Sequence, residues 1–290
     1  MASLAKRLDS NAPGDFYVDA TCIDCETCRW VAPESFDRAR GLSRVYRQPD
    51  SAAERRRAEM ALLACPVAAI GALEKHDLGA ARAGFPEQLA AGVYHCGYHA
   101  AASYGAASYL IVRPAGNVLV DSPRFTGPLV KRIEALGGIA LMFLTHRDDV
   151  ADHAKFADHF GCERIIHADD ASWGLRGIER KIDGDEPVAL DEQLAAIPVP
   201  GHTRGSMCLH YSDRFLFTGD HIAWEPDERR IEAWREVCWY DWDCLVRSNA
   251  RLLDYRFEWL LPGHGYRCHF PPARMADEMR RCQRRLDAGE

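Results

Sequence analysis

Cys22, Cys25 and Cys28 follow one another at three-residue spacing in CIDCETC, and Cys65 stands before a proline in LLACPVAAI. Thiolates spaced this way on a tight loop wrap one face of an iron–sulfur cube, and a remote fourth cysteine closes the opposite corner. A structural zinc site also takes four thiolates, but usually as two C-x2-C pairs rather than a triplet and a Cys-Pro. Unliganded core cysteines seldom fall at this spacing. A second set of metal-capable residues lies further along: His146 in LTHRDDVADH, His202 in VPGHTRGS, Asp220 in FTGDH and His264 in LPGHG. Imidazoles and carboxylates gathered at one edge make a site for zinc or iron, since both groups suit either ion.

The elements that must position these groups can be read from the same sequence. IALMFLTH is an apolar run of buried-strand length that delivers His146 at its end. LAAIPVPGHT, SMCLHYS, RFLFTGD and FEWLLPGHG are further strands, several stopping at a glycine and a candidate ligand. A strand held in a sheet is rigid, and a glycine-rich loop at its end turns a His or Asp toward a common edge. SYLIVRPAGNVLVD reads as a hairpin around Pro-Ala-Gly-Asn. GPLVKRIEALGG has helical spacing of Leu129, Ile133 and Leu136 and ends at Gly137; DDVADHAKFADHFG reads as a helix ended by Gly161, and a start near Asp149 would place His153 one turn further on the same face. Upstream, Ser51 and Glu54 open a helix as N-cap and capping-box residues. Residues 74–92 read as a linker, and 271–290 as a C-terminal helical tail. Strands first, then helices interleaved with strands, make a layered α/β architecture behind a smaller N-terminal α+β unit.

With 290 residues, one large domain plus a small one is expected. The formal net charge of −7 gives no support to a nucleic-acid grip, and no run approaches a membrane span. The N-terminus lacks a signal-peptide apolar core, and eleven cysteines without one point to a reducing compartment, the cytoplasm by default. Residues 37–64 hold seven arginines against four acids. That is an ordinary solvated helix face or, more sharply, a docking surface for an acidic redox partner protein.

The cysteine pattern resembles a single-cluster [4Fe-4S] ferredoxin over residues 14–75. In the two-cluster pattern a further cysteine serves a second cluster; Ala32 and Pro33 stand there instead. The resemblance implies that Cys22, Cys25, Cys28 and Cys65 bind one [4Fe-4S] cluster. Residues 92–270 resemble the metallo-β-lactamase fold superfamily, an αββα sandwich with one or two metal ions at the edge of its sheets. Carried over, His146, His202 and His264 are the histidine ligands, Asp220 is the bridging carboxylate, and Asp121 in VLVDSP steadies the site from behind.

The superfamily's first motif, H-x-H-x-D-H, is altered. Without a gap, Asp148 takes the place of the second histidine, and Val150 and Ala151 replace the Asp-His pair. With two extra residues, Asp152 and His153 become that pair. The expected ligand set is therefore His146, Asp148, Asp152, His153, His202, Asp220 and His264, with one or two zinc or iron ions and Asp152 beside the reacting water. Three readings follow. The first is a metal-dependent hydrolase of a small-molecule substrate. The second is a non-haem iron oxidoreductase fed by the cluster, as the carboxylate at Asp148 resembles that of flavodiiron proteins. The third is a non-enzymatic iron–sulfur sensor or electron carrier.

Overall fold

In the computed structural model, which describes residues 2–171, 175 and 177–289, the chain divides into two compact units. One comprises Met1–Ile139 with Ala151–Phe160; the other comprises Ala140–Val150 with Gly161–Glu290. This division runs through the stretch read from sequence as one domain. Residues 172–174 and 176 lie outside the described residues.

The first unit opens with β1 (Phe16–Val18), α1 (Thr27–Val31), β2 (Phe36–Ala39), β3 (Leu42–Val45), α2 (Ala52–Ala64) and β4 (Ile70–Ala72). β1 and β4 pair antiparallel, Phe16 opposite Ala72, which brings Cys65 back toward the N-terminal cysteines. β2 and β3 form a hairpin whose Arg40 and Gly41 both have positive φ, +53° and +79°, the backbone of a two-residue turn that matches strand twist. The cap of α2 is as expected: Ser51 Oγ accepts from Glu54 N–H at 3.2 Å. After α3 (Gly79–Ala83) comes a four-stranded antiparallel meander, β5 (Glu87–Ala90), β6 (Val93–His95), β7 (Tyr109–Ile111) and β8 (Val118–Val120). β7 and β8 are the hairpin read from sequence. The unit closes with α4 (Gly127–Ala135), which buries Leu129, Val130 and Ile133, and α5 (His153–Phe160).

Glu87, on β5, pairs with Arg57 of α2 and stands 3.9 Å from His95. Burial opposes its ionisation, but His95 and Arg57 outweigh that and hold its carboxyl down at about 2. A depressed folded-state value means stability present above the unfolded carboxylate range and lost as pH falls from about 5 toward 2. We expect acid unfolding of this unit to shift to lower pH sensitivity in Glu87→Gln, with at most about 3 kcal/mol of the pH dependence removed. Circular dichroism between those pH limits checks it.

In the second unit β9 (Leu141–Phe143), β10 (Glu163–His167) and β11 (Arg180–Ile182) run parallel, with β9 and β11 flanking β10 and the short α6 (Ala168–Ala171) following it. A six-stranded sheet has the order β12 (Val188–Ala189), β13 (Leu194–Pro198), β14 (Met207–Tyr211), β15 (Phe215–Gly219), β18 (Trp259–Pro262) and β19 (Cys268–His269). Between β15 and β18 the chain makes the hairpin β16 (Ala223–Glu225) and β17 (Arg230–Glu232) and then α7 (Trp242–Asn249). β15 and β18 are parallel neighbours, so Asp220 and His264 leave the sheet at the same edge. The last helix, α8 (Pro272–Ala288), is no loose tail. Its Met275, Met279, Cys282 and Leu286 lie on one stripe and pack into a core with Ile197, Leu216 and Leu260. Each fully buried aliphatic side chain there stabilises the unit by about 1.5–3 kcal/mol. Among the described residues no helix is long and apolar enough to cross a membrane.

Candidate metal centre and cluster site

His146, Asp148 and Asp149 come from the bend after β9. His202 lies in the loop between β13 and β14, Asp220 follows β15 and His264 follows β18. His146 Nε2 stands 4.0 Å from Asp148 Oδ2 and 3.6 Å from Asp220 Oδ2. His202 Nε2 is 3.5 Å from Asp148 Oδ2 and 3.6 Å from Asp220 Oδ2. Ligand atoms arranged tetrahedrally about a zinc ion are about 3.3–3.4 Å apart, so each of these four separations is near ligand spacing, slightly open. They are too distant for strong hydrogen bonds. His202 is 3% exposed, and neither of its ring nitrogens has a hydrogen-bond partner among the described residues. A buried imidazole without a hydrogen bond costs stability, which a bound cation would offset. The residues present fit a metal ion.

Asp149 extends the site. His146, Asp149 and Asp220 offer donor atoms within 4.8 Å of one another, a second group sharing His146 with the group of His146, Asp148 and His202. His264 Nδ1 donates to both oxygens of Asp220, at 2.8 and 2.9 Å. Burial works against ionising Asp220, yet the charges of His264 and His146 hold its carboxyl well below the usual range. Burial alone would lower His264, but Asp220 and Asp149 push it up to about 9. His202 beside it, helped by the nearby His146 and Arg147, outweighs burial and lowers Asp148. His221, next to Asp220, is fully buried and kept neutral: burial, reinforced by His202, takes it down to about 3.

Two features hold the loops together. Asp170, with no exposed surface, accepts from Arg147 N–H at 3.0 Å, Thr203 Oγ1 at 2.7 Å and Gly205 N–H at 3.0 Å. One buried carboxylate thereby ties the His146–Asp149 bend to the His202 loop, as supporting partners of metal ligands do. Gly219, at φ +50°, turns β15 into Asp220 where a side chain would meet Thr145. At Gly263 an added Cβ would lie 2.6 Å from Asp149 Oδ2 and 2.8 Å from Asp220 Oδ1. Gly263→Ala must displace both carboxylates, and we expect it to weaken metal binding about 10–100-fold. Competition against a chelator measures this; unchanged affinity would remove Asp149 and Asp220 from the site.

The sequence expectation at the first motif needs correction. The helix starts at His153, not near Asp149. Thr145–Asp149 is an irregular bend, which lets adjacent residues Asp148 and Asp149 both take part. Asp152 belongs to the first unit, where it accepts from Phe125 N–H at 2.8 Å and from Lys155 at 2.7 Å. His153 is buried in that unit at the start of α5. Neither residue is in the two donor groups. Asp121, at φ +55°, is buried in the first unit after β8. Asp149 was within the quoted motif, yet a motif with histidines at fixed spacing gave no reason to choose it; Asp170 carried no signal. After β17, Trp239, 61% exposed, donates its backbone N–H to His202 O at 2.9 Å, and Tyr240 N–H reaches the same carbonyl at 3.1 Å; the Trp239 ring also faces the site. Its ring centroid lies 6.1 Å from that of His202.

In the first unit, Cys22, Cys25, Cys28 and Cys65 line one apolar hollow with Val18 and Ile70. Asp24 and Glu26 adopt φ of +57° and +66°, which curls the loop so that backbone N–H groups face sulfur. Asp24 N–H reaches Cys22 Sγ at 3.4 Å, and Ala69 N–H reaches Cys65 Sγ at 3.2 Å. Arg29, nearly buried, clamps this curl by pairing with Asp24 at 2.6 Å and Glu26 at 2.9 Å. Burial pushes the Cys25 thiol up to about 11 and those of Cys28 and Cys65 upward as well. Four thiolates in such a hollow require a metal's positive charge, and the donor set fits an iron–sulfur cluster.

Residues 18–72 match the 4Fe-4S single cluster domain of ferredoxin I. The hydroxyacylglutathione hydrolase of Rhizobium etli is 33% identical over 108 residues, 36% of this chain and 41% of that protein. The acyl-coenzyme A thioesterase MBLAC2 of Bos taurus is 39% identical over 89 residues, 28% of this chain and 29% of that protein. The chain thus spans less than half the length of these relatives. Among solved structures, the DIM-1 metallo-β-lactamase superposes with a TM-score of 0.55 at 15% identity, covering 70% of this chain and 96% of that one. FIM-1 from Pseudomonas aeruginosa, in a mono-zinc form, gives 0.51 at 16%, covering 68% and 93%. The chain has the metallo-β-lactamase fold with an N-terminal ferredoxin-type iron–sulfur domain.

Proposed function

We propose that this chain is a metal-dependent hydrolase of acyl thioesters that also carries one [4Fe-4S] cluster on Cys22, Cys25, Cys28 and Cys65. The observation that carries the hydrolytic reading is the convergence of the buried His146 and His202 on Asp148 and Asp220 at distances of 3.5–4.0 Å. The names of the relatives support the substrate class: one acts on a hydroxyacylglutathione and the other on acyl-coenzyme A, both acyl groups joined to a thiol. A zinc or iron ion held there supplies Lewis acidity and lowers the pKa of bound water toward neutrality.

The chain's own residues do the rest. His146, His202, Asp148 and Asp220 hold the ion, and Asp149 with His264 completes a second position. His264 keeps Asp220 ionised and fixes its orientation through two hydrogen bonds. Asp149, in the role the sequence reading gave Asp152, stands ready as ligand or proton acceptor beside the water. Trp239 offers an apolar ledge on which the acyl chain rests.

The test is thiol release from acyl-glutathione and acyl-coenzyme A by anaerobically purified protein whose metals have been counted. Turnover that tracks zinc or iron beyond the cluster's share supports the reading. No turnover of either thioester by fully loaded protein would sink it. The carboxylates Asp148 and Asp149 keep one alternative in play, since an oxygen-rich donor set suits iron. Iron in this site, with no thioester turnover and with oxidation of the site by oxygen, would favour the oxidoreductase reading.

A further inference from the structure

The motif YHCGYH, which the metal centre does not use, packs against the cluster loop inside the first unit. His95 and His99 are 0% and 1% exposed and join Nε2 to Nε2 at 2.8 Å. His99 Nδ1 bonds the carbonyl of Gly105 and lies 3.3 Å from Thr27 Oγ1. Thr27 Oγ1 is in turn 3.5 Å from Cys25 Sγ. At the other end, His95 Nδ1 faces Glu87 Oε2 at 3.9 Å, and Glu87 holds Arg57. Trp30, Phe85 and Tyr109 enclose the His95 ring, with centroids at 4.8, 5.7 and 6.2 Å.

The chemistry of this line fixes its protons. A carbonyl only accepts, so His99 Nδ1 carries hydrogen and the Nε2 of a neutral His99 is a lone pair. His95 Nε2 must then donate to it. The next proton the pair can take belongs on His95 Nδ1, opposite the Glu87 carboxylate. Glu87 is ionised, held so by its pairing with the Arg57 guanidinium. Adding an electron to a cluster adds negative charge a few bonds away in a low-dielectric interior, where such charges interact strongly.

We propose that His95 takes up a proton when the cluster takes up an electron, so that this chain couples one-electron reduction to protonation. The electron comes from a low-potential one-electron carrier and the proton from solvent, and the Glu87 carboxylate stabilises the imidazolium that forms. One positive charge on the imidazole then balances one added negative charge on the cluster. His99 and Thr27 are positioning residues that connect the two. The other titratable groups facing the pair are Tyr109, against the His95 ring, and Arg57, across Glu87.

The test is an anaerobic potentiometric titration of the intact protein with dithionite, followed by electron paramagnetic resonance between about pH 6 and 9, where histidine titrates. The midpoint should fall by about 59 mV per pH unit over part of that window, a tenfold change in proton concentration for a one-electron couple. In His95→Gln with intact visible absorption the slope should vanish. A flat wild-type profile overturns the proposal, and so does an unchanged slope in that variant. If His95→Gln does not assemble the cluster, Glu87→Gln decides. Loss of the facing carboxylate should move the break in the profile down by at least about one pH unit, and an unmoved break overturns the proposal.

Discussion

In His202→Ala we expect the second unit to lose its metal while the brown colour of the cluster persists. The imidazole contributes a donor 3.5 Å from Asp148 and 3.6 Å from Asp220, and no other described residue takes its place there. Without it, two carboxylates and His146 remain, a set that favours hydrated, weakly held ions over zinc. Losing a partner that merely supports a ligand costs about 10–100-fold in affinity, so losing a ligand should cost at least about 100-fold. The change should leave the fold intact. His202 lies outside the core of Ile197, Leu216, Leu260 and the α8 residues, and its loop stays tied by Asp170 through Thr203 and Gly205. Elemental analysis beside the visible spectrum reads both centres in one sample. Stoichiometric second-unit metal in the variant would take His202 out of the site.

How far such a site can be read from sequence depends on which interactions are local. Strand ends with a glycine and a metal-capable side chain are local features, so His146, His202, Asp220 and His264 could be named as candidates, as could the four cysteines, and the Ser51 cap was legible. Asp149 was not, because its part depends on whether the chain bends or coils after β9. The helical spacing of DDVADHAKFADHFG carries on past the true start at His153, and periodicity does not record where the first turn nucleates. Asp170 was invisible for a different reason. Its three hydrogen-bond donors come from residues 147, 203 and 205, far apart in the chain, and only the folded sheet brings them to one carboxylate. The apolar stripe of α8 was present in sequence as Met275, Met279, Cys282 and Leu286, yet a helix at the end of a chain reads as a tail until its core partners are known.

Cys25→Ala should act on the first unit as strongly as His202→Ala acts on the second. Cys25 is one of four thiols around the hollow, and a cube held at four corners gives up its anchored geometry when one corner is lost. The remaining sulfurs are poorly placed to compensate. Cys28 and Cys65 are buried, and burial pushes their thiols up, so as free groups they stay protonated rather than capture iron unaided. Visible absorption and most of the cluster's iron should disappear. The variant should also lose the stability that metal binding adds to the folded state, because the curl at Asp24 and Glu26 is then held by the ion pairs of Arg29 and the exposed Arg38 without the cluster. Limited proteolysis should therefore cut first between residues 20 and 30, while second-unit metal and thioester turnover continue. Unchanged absorption would refute the cluster assignment. Turnover lost together with the colour would mean that hydrolysis depends on the cluster, and the two centres would have to be treated as one catalyst.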